Sequence, residues 1–152
     1  MNKHWNRWIH TSIARYFSTI AEANDLYLYV VGRSDERTKT NEFIELRVTG
    51  PNTTEISRNN FKIDVIIDLI YSIHLLPSDS YRAQKISGIL EEAMTDICIY
   101  KYGNGDDDDD KILGTLILQR QPVESNCFGQ VEPNTRLIQG NVSAALQMKI
   151  KT

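Results

Sequence analysis

The side chains best equipped for chemistry are five consecutive carboxylates, Asp106-Asp107-Asp108-Asp109-Asp110, three histidines (His4, His10, His74) and two cysteines (Cys98, Cys127). The acidic run lacks the DxDxDG spacing and distal Glu that wrap a calcium ion. Neighbouring carboxylates about 6 Å apart repel by roughly 0.7 kcal/mol per pair in water. The run must therefore face solvent or a basic partner, and a catalytic metal site is its least supported use. No two histidines stand four apart as on a zinc-binding helix, so each reads as a surface or structural residue. Neither cysteine has a neighbour that would activate a thiolate, and the pair fits neither a disulfide scaffold nor a CxxC ribbon. A reducing compartment is the default, with a single bridge left open. GxSxG, GxxxxGK and GxGxxG do not occur, which removes support for hydrolase-elbow, P-loop and dinucleotide chemistry. No catalytic residue, metal ligand or cofactor is expected.

The scaffold behind these residues is bounded by size and composition. A chain of 152 residues, 41% hydrophobic and 24% charged, is ordinary globular material with enough length for one domain and a real core. No stretch approaches the roughly 20 apolar residues that span a bilayer, and residues 1–8 lack the apolar block of a signal peptide. A soluble, non-secreted protein is expected. The net charge is −3, and removing the five aspartates of the run would make it +2. The basic residues are scattered singly, so general or sequence-specific nucleic-acid binding is disfavoured.

The apolar pattern sets the elements. Trp5, Trp8, Ile9, Ile13, Tyr16, Phe17 and Ile20 follow a helical rhythm, with Asn6, Arg7, Ser12, Arg15 and Thr19 on the other face. Asn24-Asp25 ends that helix, and residues 26–31 read as a strand. Residues 32–41 carry no apolar side chain and form an exposed arm, Arg33, Arg37 and Lys39 among them. A second strand, 43–48, is closed by the turn signal Gly50-Pro51-Asn52. From Phe61 to Ile73 every odd position is apolar and most even ones are polar, a strand with one buried face. Pro77-Ser78-Asp79-Ser80 supplies cap chemistry for a helix over residues 80–95, striped by Ile86, Ile89, Leu90, Ala93 and Met94. Gly88 inside it costs about 1 kcal/mol relative to Ala unless close packing needs it. Strands 97–102 and 112–119 make a hairpin whose loop, 103–111, carries the acidic run. A Pro/Glu/Asn-containing stretch (122–133) leads to a last alternating strand, 136–150. This order gives a single α+β domain over 1–152, with a mostly antiparallel sheet, two main helices on one face and an extended arm.

Two features bear on assembly. An unbroken 61–73 strand would span roughly 43 Å, against a diameter of about 38 Å for a compact chain of this size. Either a bulge bends it, or one end projects and a sister subunit completes the sheet. Trp5 and Trp8 either anchor the first helix on the sheet or dock it on a neighbour.

The layout carries a resemblance. An amphipathic first helix and a polar arm precede Glu45-Leu46-Arg47-Val48-Thr49-Gly50-Pro51 and the long strand. A helix from Tyr81-Arg82, the strand end Tyr100-Lys101-Tyr102-Gly103 before the acidic loop, and Phe128-Gly129-Gln130-Val131-Glu132-Pro133 before the final strand follow. Over nearly its whole length the chain resembles the tail terminator, or tail-completion, proteins of tailed bacteriophages. The resemblance implies a non-enzymatic virion protein that forms a ring, a hexamer, with copies of itself. The ring would sit on the finished tail tube, stop its polymerisation and offer a surface to the head-side connector. It implies assembly in the host cytoplasm and a place in the tail or neck of the virion, with DNA passing through the lumen. Trp5, Trp8, Arg33, Arg37 and Lys39 are then candidate interface residues. Asp106, Asp107, Asp108, Asp109 and Asp110 would line the lumen, where they would repel passing DNA, or meet a partner.

A head-completion or connector subunit of the neck shares these features. From other classes, the acidic run could serve a divalent-metal-dependent enzyme, or the chain could be a monomeric module that reads a peptide along a sheet edge.

Overall fold

A computed structural model of the chain describes residues 4–31, 42–74, 81–102, 111–119, 124–130 and 137–151. The arm at 32–41, the cap chemistry at 77–80 and the acidic loop lie outside the described residues.

Helix α1 runs Trp5–Ala23, and its apolar stripe is why it forms. Trp5, Trp8, Ile9, Ile13 and Phe17 are buried, as are Ala14 and Ala21. The helix ends where Asn24-Asp25 predicts. The Leu26 N–H donates to the Ala21 carbonyl at 2.8 Å and the Asp25 N–H to that of Glu22 at 3.3 Å. Asp25 takes the left-handed conformation (φ 54°), so the terminus is a Schellman cap with Asp where Gly is commonest. Ser12 departs from its expected exposed face and is buried. Its hydroxyl is used on the backbone of a strand, as described below.

Seven strands follow: β1 (Leu28–Val30), β2 (Glu42–Ser57), β3 (Asn60–His74), β4 (Ile97–Lys101), β5 (Lys111–Leu118), β6 (Glu124–Gln130) and β7 (Leu137–Lys151), with α2 (Arg82–Ala93) between β3 and β4. Their order is β1-β2-β3-β7-β5-β4, with β6 also paired to β7. The fold class is α+β. The sheet is mixed, because β1 runs parallel to β2 while the other described pairs are antiparallel. Helix α1 packs on β4, β1 and β2, whereas α2 packs on β7 and β3. The two helices are not clearly gathered on one face.

The alternation in β3 is realised from Ile63 onward, with Phe61 half-buried. Ile63, Val65, Ile67, Leu69, Tyr71 and Ile73 are buried, and β7 supplies the facing ladder: Ile63 opposite Met148, Val65 opposite Leu146, Ile67 opposite Ala144, Leu69 opposite Val142. This corrects the expectation that a sister subunit completes the sheet around β3. The chain's own β2 and β7 are of similar length and flank it on both sides. Polar residues on the other face pair across the same strands. Gln147 donates to Asp64 at 2.9 Å, Asn141 to Asp68 at 3.0 Å, and Gln139 to Ser72 at 3.0 Å.

β2 does not stop at Gly50-Pro51-Asn52 but runs on to Ser57. The signal marks a bulge, since the register against β3 shifts between Thr49 and Asn52, and again between Glu55 and Ser57. Pro is tolerated in sheets at edges and bulges, where a ladder donor can be spared. Gly50 is required there: its φ is +104°, and a Cβ would lie 2.8 Å from the Asp64 carbonyl oxygen. The reversal falls at Arg58-Asn59, where Asn59 (φ 66°) takes the left-handed position that Asn tolerates well.

Helix α2 begins at Arg82, and its N-cap Tyr81 makes no side-chain cap. Arg82 instead forks onto Glu42 at 3.0 and 2.6 Å, pinning the helix start to the start of β2. Ala83, Ile86, Leu90 and Ala93 face the core. Strand β6 falls in the stretch 122–133, where the sequence marked no element.

Candidate functional site

The candidate interface residues separate. Trp5 and Trp8 are 8% and 5% exposed, with their rings edge to face at 5.8 Å. Trp8 Nε1 also donates to the Tyr102 carbonyl at 3.1 Å. Their surface is consumed by the chain's own core, so they anchor α1 and offer a neighbour little. Arg33, Arg37, Lys39 and Asp106–Asp110 lie outside the described residues. His10 donates through Nε2 to the Gly50 carbonyl at 3.1 Å, tying α1 to the β2 bulge. Cys98 is an exposed free thiol.

A groove of about 630 Å³ runs between α1 and β4. Ser12, Arg15, Tyr16 and Thr19 form one wall, at helical spacing, and Asp96, Cys98, Tyr100 and Tyr102 the other, at strand spacing. Several of its polar groups are engaged by the chain's own backbone. The Ser12 hydroxyl accepts the Tyr100 N–H, Tyr16 donates to the Ala93 carbonyl at 2.7 Å, and Asp96 accepts the Leu118 N–H at 2.8 Å. The Arg15 guanidinium lies 4.7 Å from the centre of the Tyr102 ring. The groove secures the terminal strand β4 under a helix, a common protection for a sheet edge.

The opposite end of the sheet is built differently. Here β2, β3 and β7 run on together as a three-stranded ribbon, with Ser57 opposite Asn60 and Asn60 opposite Lys151. β1 pairs with β2 only from Ile44 to Leu46. Beyond that, no described strand flanks the outer edge of β2, and residues 52–57 are all exposed. On the far side, β7 shares its outer edge between β6, along Ile138–Ser143, and β5, at Leu146 and Gln147. β5 then diverges towards β4. The divergence opens a cleft of about 700 Å³ lined by Thr115, Ile117, Leu118, Gln119, Gln147, Met148 and Lys149. Next to the cleft residue Thr115, Gly114 leaves space for the Met148 side chain, whose sulfur would lie 2.8 Å from an added Cβ. Among the described residues, the site is therefore a pair of strand edges without a paired neighbour, on opposite sides of one ribbon. Such edges bind other strands through main-chain hydrogen bonds.

Sequence periodicity locates the strands but not these edges. An edge is set by where a neighbouring strand stops, and no local pattern records that. Among the described residues, no three His, Cys, Asp or Glu side chains gather as a metal site, and no helix is long and apolar enough to cross a membrane. No protein-family model matches the chain, and no curated protein matches its sequence.

Proposed function

We propose that this chain is a structural subunit of a tailed bacteriophage, a ring-forming tail terminator that caps the tail tube and joins it to the head-side connector. Its work lies in self-association and end-capping, not in catalysis. The observation that carries the self-association is the ribbon, which among the described strands leaves an unpaired edge on each of its two sides. A long edge without cover invites pairing with another chain. The phage-tail assignment rests on the layout resemblance of the whole chain, from the first helix to the final strand. In that setting the acidic loop of each copy would either line the passage for DNA or meet a basic partner.

Light scattering on purified protein, paired with electron microscopy of virions, tests the proposal. A ring in solution, and labelled density at the head-proximal end of the tail tube, are the expected results. Absence of the protein from that end refutes the terminator assignment. A neck ring further towards the head would instead mark a head-completion subunit. The open β2 edge also favours a second reading, a monomeric module that takes an extended peptide. It predicts a single-chain mass at every concentration.

A further inference from the structure

We propose that the far end of the ribbon, where Lys62, Lys149 and Lys151 share one face, holds the phosphate backbone of duplex DNA. The choice of duplex DNA rests on the phage-tail reading, in which DNA passes through the ring. The cation patch itself rests on the strand register alone.

Basic residues that stand singly in the sequence are gathered here by the pairing of β3 with β7. Lys62 lies directly opposite Lys149, and Asn60 opposite Lys151. The alternation that buries Ile63, Met148 and Ile150 puts all three lysines on the other face of the ribbon. Partners across a strand pair lie about 5 Å apart at Cβ, and Lys149 and Lys151 about 7 Å apart along their strand. Arg58 is exposed in the adjoining turn. Asp64 offsets one charge, with its Oδ2 3.3 Å from Lys62 Nζ, and no described carboxylate pairs with Arg58, Lys149 or Lys151. Glu55 is opposite Phe61 and so belongs to the core-side face. Like charges directly opposite one another destabilise a sheet, so folding gains nothing from this juxtaposition. A polyanion does. Apart from Ile56 at the bulge, the flanking residues Asn52, Thr54, Asn60 and Gln147 are neutral and polar, unlike the apolar anchors on which protein interfaces are built. Lysines act on phosphate as point charges, and a duplex presents such charges closely and regularly spaced. The chain's net charge of −3 does not oppose this, because five of its carboxylates are concentrated in one run.

The test uses the full chain and a short fluorescent DNA duplex of arbitrary sequence, read by anisotropy across salt concentrations. The chain is expected to bind without regard to sequence. Its log K should fall against log salt with a slope between about −3 and −4, the value for three lysines and Arg58 on phosphates. Lys62→Gln, Lys149→Gln and Lys151→Gln together should weaken binding roughly tenfold or more and reduce the slope by about one per lysine. Lys85→Gln, Lys101→Gln and Lys111→Gln together change the net charge equally at exposed lysines elsewhere, and should leave the slope as it is. No binding at low salt, or equal losses in the two triple variants, overturns the proposal. A peptide of residues 103–110 serves as an acidic competitor. If it binds the chain more tightly than the duplex does, and loses that binding with the Lys62, Lys149 and Lys151 variant, the patch takes an acidic protein segment and the proposal falls. Light scattering separates this surface from the ring reading. Rings that do not bind the duplex overturn the DNA contact alone, whereas monomers that bind it with the expected slope overturn the ring alone.

Discussion

The hydroxyl oxygen of Ser12 accepts the backbone N–H of Tyr100 at 2.9 Å. Ser12 sits in the middle of α1, and Tyr100 is on β4, the terminal strand of the sheet. One side chain of α1 thus satisfies a main-chain donor of β4.

Ser12→Ala leaves that part-buried N–H without its acceptor, at a site where Ser12 is only 3% exposed. A loss of about 1–3 kcal/mol follows from the desolvation of an unpaired donor. Denaturant melting reads it as a lower midpoint at unchanged slope.

Trp8 fills core volume and donates to the Tyr102 carbonyl. Trp8→Ala should cost about 3–5 kcal/mol, the range for removing a large buried aromatic. Trp8→Phe retains most of the packing and should cost less. Since the ring is buried within one chain, Trp8→Phe should leave the oligomeric mass unchanged by light scattering. A specific loss of assembly in a well-folded Trp8→Phe chain would return this residue to the interface.

Gly50 occupies a backbone conformation that side chains rarely adopt, against the Asp64 carbonyl. Gly50→Ala is expected to destabilise by roughly 1–3 kcal/mol, the cost of holding a strained backbone. Thermal unfolding provides the measurement, and an unchanged midpoint would show that the β2 bulge can relax.

Gly88 is the contrasting case. It lies on the exposed side of α2, and an added Cβ meets no atom within 4 Å. Close packing does not require it, so Gly88→Ala should stabilise by about 1 kcal/mol through helix propensity alone. The same melting experiment should show an upward shift.

Much of the architecture was legible because burial on one face leaves a period in the sequence. The stripe from Trp5 to Phe17 and the odd positions of β3 each follow from that single cause. Gly50-Pro51-Asn52 misled because a bulge and a turn use the same residues, and tertiary pairing with β3 decides between them. Ser12 was placed on the solvent face because a hydroxyl is polar, although a buried backbone donor also needs such a group. The alternation of β3 revealed a buried face but not which chain supplies the neighbours, and β7 supplies one of them. The open edges beside residues 52–57 and Met148 were illegible, since they are defined by where β1 and β5 end.

The fifteen-residue match between β3 and β7 joins the middle of the polypeptide to its far end. Its consequence is kinetic. Contacts so remote in sequence form slowly, because a large loop must close before they reward the chain. During translation β3 must wait, with one side unpaired, until the final strand has left the ribosome.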